Sequence, residues 1–300
     1  ICSFLKQSEF RIFYHTIHKF LSKEEQRCIK QLYLKYTFNQ EGTTKYMNES
    51  AFCNRIDNQL IYTKYKPMLL NLCNCHNIDM TVLGNVHTLN LSGCEGITDV
   101  SSLGHVHTLN LSGCEGITDV SSLGHVHTLN LIHCRGISDV SSLGNVHTLD
   151  LYCCTGIRDV SSLGNVHSLK LSCFSGISDV SSLGHVHTLE LDHCHGITDV
   201  SSLGNVHTLN LSFCDDITDV SSLGHVHTLE LDHCQGITDV SSLGHVHTLN
   251  LSFCDGISDV SSLGHVHTLN SSNCGGIIGP ISLKARIAKE WRILAKKCNK

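Results

Sequence analysis

The chain has 300 residues, with 23 histidines, 17 cysteines and 24 glycines but only two prolines and one tryptophan, and its formal net charge is −6. That charge is segregated: residues 1–68 hold eleven Lys/Arg against six Asp/Glu, residues 69–279 three against twenty, and residues 280–300 seven against one. The acidic centre argues against nucleic acid as a partner, because phosphate binding needs clustered Lys/Arg, and no apolar run reaches the ~18 residues that mark a membrane-spanning helix.

The first 68 residues contain no repeat. Phe10, Phe13, Ile17, Phe20 and Leu21 make an apolar stripe at helical spacing, Ser22 with Glu25 forms a capping-box pattern, and Ile29, Leu32, Tyr33 and Tyr36 make a second stripe. A helical segment is therefore expected over 1–38. The polar stretch NQEGTTKYMNES at 39–50 opens a linker and N-terminal cap that runs to residue 68. Because the chain begins at Ile1 rather than Met, an upstream segment is expected.

From residue 69 to residue 279 a twenty-residue unit dominates. Leu89, Leu109, Leu129, Leu149, Leu169, Leu189, Leu209, Leu229, Leu249 and Leu269 are each twenty apart, and the residue two further on is Leu in every case but Ser271. Fixed periods of this kind signal a solenoid. In Thr-Leu-Asn-Leu-Ser the alternation puts Leu109 and Leu111 on one face and Thr108, Asn110 and Ser112 on the other, as a half-buried strand requires. Copies of one unit must then run parallel. Gly116 is assigned to the sharp turn after the strand, and Asp119 to capping the next turn by accepting from backbone N–H groups. The short return leaves little room for an α-helix, so turns or 3-10 segments are expected opposite the sheet. Each unit points Val106, Leu109, Leu111, Cys114, Ile117, Val120 and Leu123 inward, too little core for one repeat to fold alone. Leu70-Asn71-Leu72 with Cys75 and Ile78 reads as a worn first repeat, one residue short. At the other end Leu283, Ile287, Trp291 and Leu294 fall at helical spacing beneath a Lys/Arg-rich face, which predicts a basic capping helix over 280–300.

The unit V-H-T-L-N-L-S-G-C-E-G-I-T-D from Val106 resembles the leucine-rich repeat LxxLxLxxCxxI, and is similar to cysteine-containing and internalin-like arrays, whose repeats also continue with ITD. The resemblance implies an α/β-class right-handed solenoid with a parallel sheet on its concave face, acting as a protein-binding module without enzymatic activity or cofactor. Ile1-Cys2-Ser3-Phe4-Leu5, followed by Glu9-Phe10 and then Phe13, Ile17 and Phe20, resembles the latter part of an F-box, with Phe20 where that family often has Trp. This second resemblance implies that Ile1, Phe4, Leu5, Phe10, Phe13, Ile17 and Phe20 dock to the Skp adaptor of a cullin ubiquitin ligase while the array selects substrates. A helical cap for the solenoid is the alternative reading of the same residues.

The repeats also show which positions vary. The inward columns hardly change, whereas three outward columns do: Asn110, Asn130, Asp150, Lys170, Glu190, Asn210, Glu230 and Asn250 in the first; Ser112, Ile132, Tyr152, Ser172, Asp192, Ser212, Asp232 and Ser252 in the second; Gly113, His133, Cys153, Cys173, His193, Phe213, His233 and Phe253 in the third. The concave face they form is the expected partner site, with Asp150, Tyr152, Lys170, Glu190, Asp192, His193, Asn210, Phe213, Glu230, Asp232, His233 and Phe253 as its residues. Glu190/Asp192 and Glu230/Asp232 would be acidic patches beside exposed Phe213 and Phe253, suiting a basic, partly apolar protein; drift at exposed positions and a forty-residue duplication are the competing explanations.

Cysteines at 94, 114, 134, 154, 194, 214, 234, 254 and 274 form a core column, read as small hydrophobes with a weak S–H donor in a reducing, cytoplasmic compartment. Phe174 interrupts that column and its cysteine moves out to Cys173. His133, Cys153, Cys173 and His193 then share an outward column, but four strands span ~14 Å, too wide for one tetrahedral zinc. No metal is expected there. Ten histidines from His87 to His267, doubled by His105, His125, His185, His225, His245 and His265, read as structural ladders whose titration neighbouring charge pulls downward. No catalytic constellation stands out, since a residue present in every repeat marks no single active site. Taken together, the residues predict a monomeric protein-binding array, hypothetically the substrate-recognition subunit of an F-box ligase. An internalin-like adhesin and a His/Cys metal ladder are the alternatives.

Overall fold

The structure, a computed structural model, describes residues 34–37, 68–74, 80–173 and 176–275. Twelve strands form one parallel sheet and pair in chain order. Ten of them are the three-residue Thr-Leu-Asn type segments from Thr88–Asn90 to Thr268–Asn270, each in register with its neighbour twenty residues away, as in Leu109↔Leu129. Strands this short hold because every repeat adds the same ladder: Leu111 N–H donates to Asn130 O at 2.8 Å, and Thr128 N–H to His107 O at 3.0 Å.

The return segments are 3-10 turns, Ser121–His125 being typical, and among the described residues none is an α-helix. Asp119 Oδ1 accepts the Ser121 N–H at 2.8 Å, and the equivalent aspartate does so in every repeat from Asp99 to Asp259, which is the capping expected from the sequence. Ser122 Oγ donates back to Val100 O of the preceding repeat at 3.2 Å, stitching the turns together. The seven inward residues of this repeat are all at most 1 % exposed, and the same columns form one continuous core from Leu72 to Val266. At the last strand that burial weakens, where Leu269 is only half-buried and Ser271 replaces the leucine.

Three expectations need correction or extension. Residues 34–37, assigned to a helical segment with Tyr36 on its apolar stripe, form strand β1 (Leu34–Thr37), which pairs with β2 (Met68–Asn71) as Leu34↔Met68. The hydrogen-bonded ladder of an existing sheet edge overrides local helical periodicity here. β2 itself joins the array as Leu70↔Leu89, one residue short of the period, as its sequence indicated. The glycine of the turn is also displaced. The left-handed residue lies in the third variable column, at φ +74° for Gly113, while the Gly116 column is needed for close approach: a Cβ on Gly136 would lie 2.7 Å from Ile117 O. The F-box-like residues Ile1, Phe4, Leu5, Phe10, Phe13, Ile17 and Phe20, linker residues 39–67, Cys75 and Ile78 of the worn repeat, Phe174 and the basic 280–300 segment lie outside the described residues.

Candidate functional site: the aromatic and acidic rim

The third variable column sits where the strand bends into its turn, and its backbone is left-handed in every described repeat. Nine non-glycine residues adopt it: Asn74, His133, Cys153, Cys173, His193, Phe213, His233, Phe253 and Asn273, with φ between 57° and 67°. Glycine and asparagine fit that conformation; for phenylalanine, cysteine or histidine it costs roughly 1–2 kcal/mol per residue. The side chains recover part of this by stacking. His193, Phe213, His233 and Phe253 form a continuous pile with centroids 4.3, 4.3 and 4.4 Å apart and planes within 17°, at ~0.5–1.5 kcal/mol per aromatic pair.

Two carboxylates hold the imidazoles of that pile. Asp192 Oδ2 faces His193 Nδ1 at 3.2 Å and Asp232 Oδ2 faces His233 Nδ1 at 3.3 Å. The other oxygen of each takes the hydroxyl of the serine one repeat back, Ser172 for Asp192 and Ser212 for Asp232. These serines were expected to point outward. They are buried, as is Ser252, and the first two donate to the aspartate of the next repeat. The Ser–Asp–His order leaves each hydroxyl on the carboxylate rather than on the imidazole, so neither set is arranged to activate a serine nucleophile.

The first column divides into structural and available members. Asn210 Oδ1 accepts the Ser212 N–H at 3.0 Å and Asp150 Oδ1 the Tyr152 N–H at 3.1 Å, so both serve a local Asx turn. Burial pushes the Asp150 carboxyl above the usual range, opposed by the Tyr152 N–H and Lys170. Lys170 Nζ pairs with Glu190 Oε1 at 2.8 Å, and that bond raises the lysine. The two LELDHC strands are thus unequal: Glu190 is neutralised by Lys170, whereas Glu230 faces Asn210 and Asn250 across the ladder. Phe253, beside that second strand, is 42 % exposed; Phe213, expected to be equally open, is half-buried between two imidazoles. Glu230, Asp232, His233 and Phe253 therefore form the more strongly negative and apolar end of the rim, and Tyr152, 36 % exposed, marks the other.

His133, Cys153, Cys173 and His193 occupy successive rows of this column and do not converge. Among the described residues no group of three or more His, Cys, Asp or Glu is placed to hold a metal ion. Tyr152 stacks edge-on against His133 at 5.7 Å, and its hydroxyl interacts with Cys173 and Cys153; the Cys173 contact leads in pushing the phenol up to about 12. The core cysteines are thiols that donate to backbone carbonyls, as Cys114 Sγ does to Leu91 O at 3.2 Å. Burial raises Cys154 to about 12 and Cys214 to about 11, so they carry no thiolate near neutrality. Ring stacking also joins the histidine column on the far side of the strand, His87 to His267, at 4.5–4.7 Å. The left-handed backbone was the feature missed in the sequence. Its signal was present: Asn74, Gly93, Gly113 and Asn273, all turn-tolerant, share the column.

The leucine-rich repeat family model matches residues 105–121 and 245–261. Among solved structures the chain is similar to an internalin, InlF, from Listeria monocytogenes str. 4b F2365, at 20% identity over 71% of this chain and 81% of that one, with a TM-score of 0.44. The functional domain of InlJ from Listeria monocytogenes, which includes a cysteine ladder, is 21% identical over 69% of this chain and 52% of its own length, with a TM-score of 0.45. A chain of the mouse RP105/MD-1 complex is 19% identical over 69% of this chain and 42% of its own, with a TM-score of 0.47. Comparison with curated proteins gives no match.

Proposed function

We propose that this leucine-rich-repeat solenoid is a protein-binding module whose rim, from Tyr152 to Phe253, takes a basic and partly apolar partner surface. The observation that carries the reading is the column of non-glycine residues held at positive φ: bulky side chains stand on the rim at a backbone cost that Gly93 and Gly113 avoid at the same place. Strain at a surface position with exposed aromatic edges beside the Glu230 carboxylate, which faces only asparagines across the ladder, fits recognition, which favours buried aromatic anchors within a charged border. The Ser–Asp–His sets of the rim leave each hydroxyl on the carboxylate rather than on the imidazole, and a binding role without catalysis is our reading.

The finer reading is that the chain is the substrate-recognition subunit of an F-box ubiquitin ligase in a reducing cytoplasm, supported by the F-box-like residues Ile1 to Phe20. Its test is a pull-down of the full-length protein probed for Skp adaptor and cullin. Recovery of both supports the ligase role; their absence sinks it and leaves the rim untouched. A Glu230→Lys/Asp232→Lys/Phe253→Ser variant then checks the rim itself, and is expected to lose the captured substrate while keeping adaptor and fold. The Ile117-Thr118-Asp119 continuation of the repeat favours a second reading, an internalin-like surface array, for which a secretory signal upstream of Ile1 is the discriminating observation.

A further inference from the structure

We propose that Cys153 and Cys173 are a redox-switchable pair that closes to a disulfide across two neighbouring repeats when oxidised by glutathione disulfide, and reopens when glutathione is reduced. They occupy the same column on adjacent rows. Cys153 N–H donates to Ser172 O at 3.2 Å, so the two backbones are held at strand spacing, within the Cα separation that disulfides span. Side chains of this column also draw closer than the backbone ladder requires. Rings one row further on are 4.3 Å apart, against 4.5–4.7 Å in the histidine column. The two thiols lie close enough to influence each other's ionisation, as does the Tyr152 hydroxyl beside them.

Selectivity follows from burial. Of the twelve described cysteines only Cys73, Cys153, Cys173 and Cys274 are not fully buried, and Cys73 and Cys274 lie at opposite ends of the array. The two residues share one backbone conformation, so their Cα–Cβ bonds run parallel and the Cβ atoms start wider than the ~3.8 Å a relaxed disulfide prefers. Closure must tighten the two rows. A strained, solvent-accessible bond of this kind is readily reduced, which makes it a switch rather than a permanent staple.

The exchange balances. One protein thiolate attacks a sulfur of glutathione disulfide, breaking its S–S bond and releasing one glutathione thiolate. The second protein thiol loses its proton to solvent and attacks the protein-bound sulfur, expelling the second glutathione. Two protein thiols are oxidised by two electrons and one glutathione disulfide becomes two glutathione molecules.

The test equilibrates the native full-length protein in mixtures of reduced and oxidised glutathione, quenches with acid, alkylates with N-ethylmaleimide and locates the linkage by tandem mass spectrometry. The expected result is a Cys153–Cys173 cross-link that grows with the oxidised fraction and is lost in Cys153→Ser and in Cys173→Ser, with Cys114 and Cys234 free of cross-links and of glutathione throughout. A second readout is the phenol titration of Tyr152, isolated as the difference from Tyr152→Phe: on oxidation it falls from about 12 towards an ordinary tyrosine, because the neighbouring thiols are gone. Full alkylation of both cysteines in the most oxidising mixture overturns the proposal. So does separate glutathione attachment without a cross-link, or a bond formed instead between Cys153 and Cys154.

Discussion

At the scale of single residues the left-handed column sets opposing terms against each other. In Phe213 the backbone cost and the gain from two stacking contacts are of similar size, so Phe213→Gly removes both and is expected to change stability by less than ~1 kcal/mol, read from the denaturant midpoint. Phe213→Val keeps a side chain but branches it at Cβ, loses the stack and is expected to cost ~2 kcal/mol or more. Equal midpoints for the two variants would show that the conformation carries no strain. The glycines divide in the same physical way. A Cβ on Gly156 would meet Ile137 O at 2.5 Å, whereas one on Gly96 meets nothing within 4 Å. Gly156→Ala is expected to destabilise by ~1–3 kcal/mol and Gly96→Ala to stay within ~0.5 kcal/mol, measured by the same unfolding curves. Legibility in the sequence was likewise uneven. Val106, Leu109, Leu111, Cys114, Ile117, Val120 and Leu123 were legible because the period fixes which way each points. Ser172 and Ser212 were not: they are buried and bonded to an aspartate from the next row, a contact that alternation along one strand does not encode.

At the scale of elements, the two titratable columns give the solenoid a characteristic pH response. Burial, and then the charge of stacked neighbours, hold His107, His147 and His207 below their ordinary range. A histidine whose folded value is depressed accepts its proton more readily when unfolded. Its neutral form therefore costs nothing above the unfolded value of ~6.5, and stability falls as pH drops through that value towards the folded one. The aspartates of the turns act in a lower window. In Asp119 the backbone N–H and then the hydroxyl of Ser121 lower the carboxyl, so its contribution is present above the unfolded value of ~3.9 and is lost as pH falls through the folded one. Thermal midpoints are expected to decline in two stages, one between pH ~7 and ~5 and one below pH ~4. Salt should lessen the first, since part of it is repulsion between exposed charges. A midpoint that stays flat from pH 7 to 5 would contradict the histidine assignment. Element β1 shows where the periodic argument ends: it pairs with β2 at an offset of 34 residues, outside the period, and its own apolar spacing reads as helical.

At the scale of the whole molecule, each repeat meets only its neighbours, and stability is the sum of similar interfaces. Deleting residues 114–133, one full period, joins Gly113 to Cys134 and preserves every column, so the shortened protein is expected to fold cooperatively with a modestly lower melting temperature by circular dichroism. Deleting ten residues at the same place throws the inward columns out of phase and is expected to abolish folding. Retention of the sheet signal by the ten-residue deletion would show that the rows are not locked together. The same uniformity bears on how a partner finds its place. Stacked rows at a 4.5–4.7 Å pitch present an almost identical surface at each step, so a ligand reading only the histidine column would meet many equivalent alignments and slide among them. The rows from Tyr152 to Phe253 remove that degeneracy. Cysteines, a lysine, two unequal acidic strands and one open phenylalanine follow each other in an order that occurs once, and so give an otherwise unmarked ruler its zero.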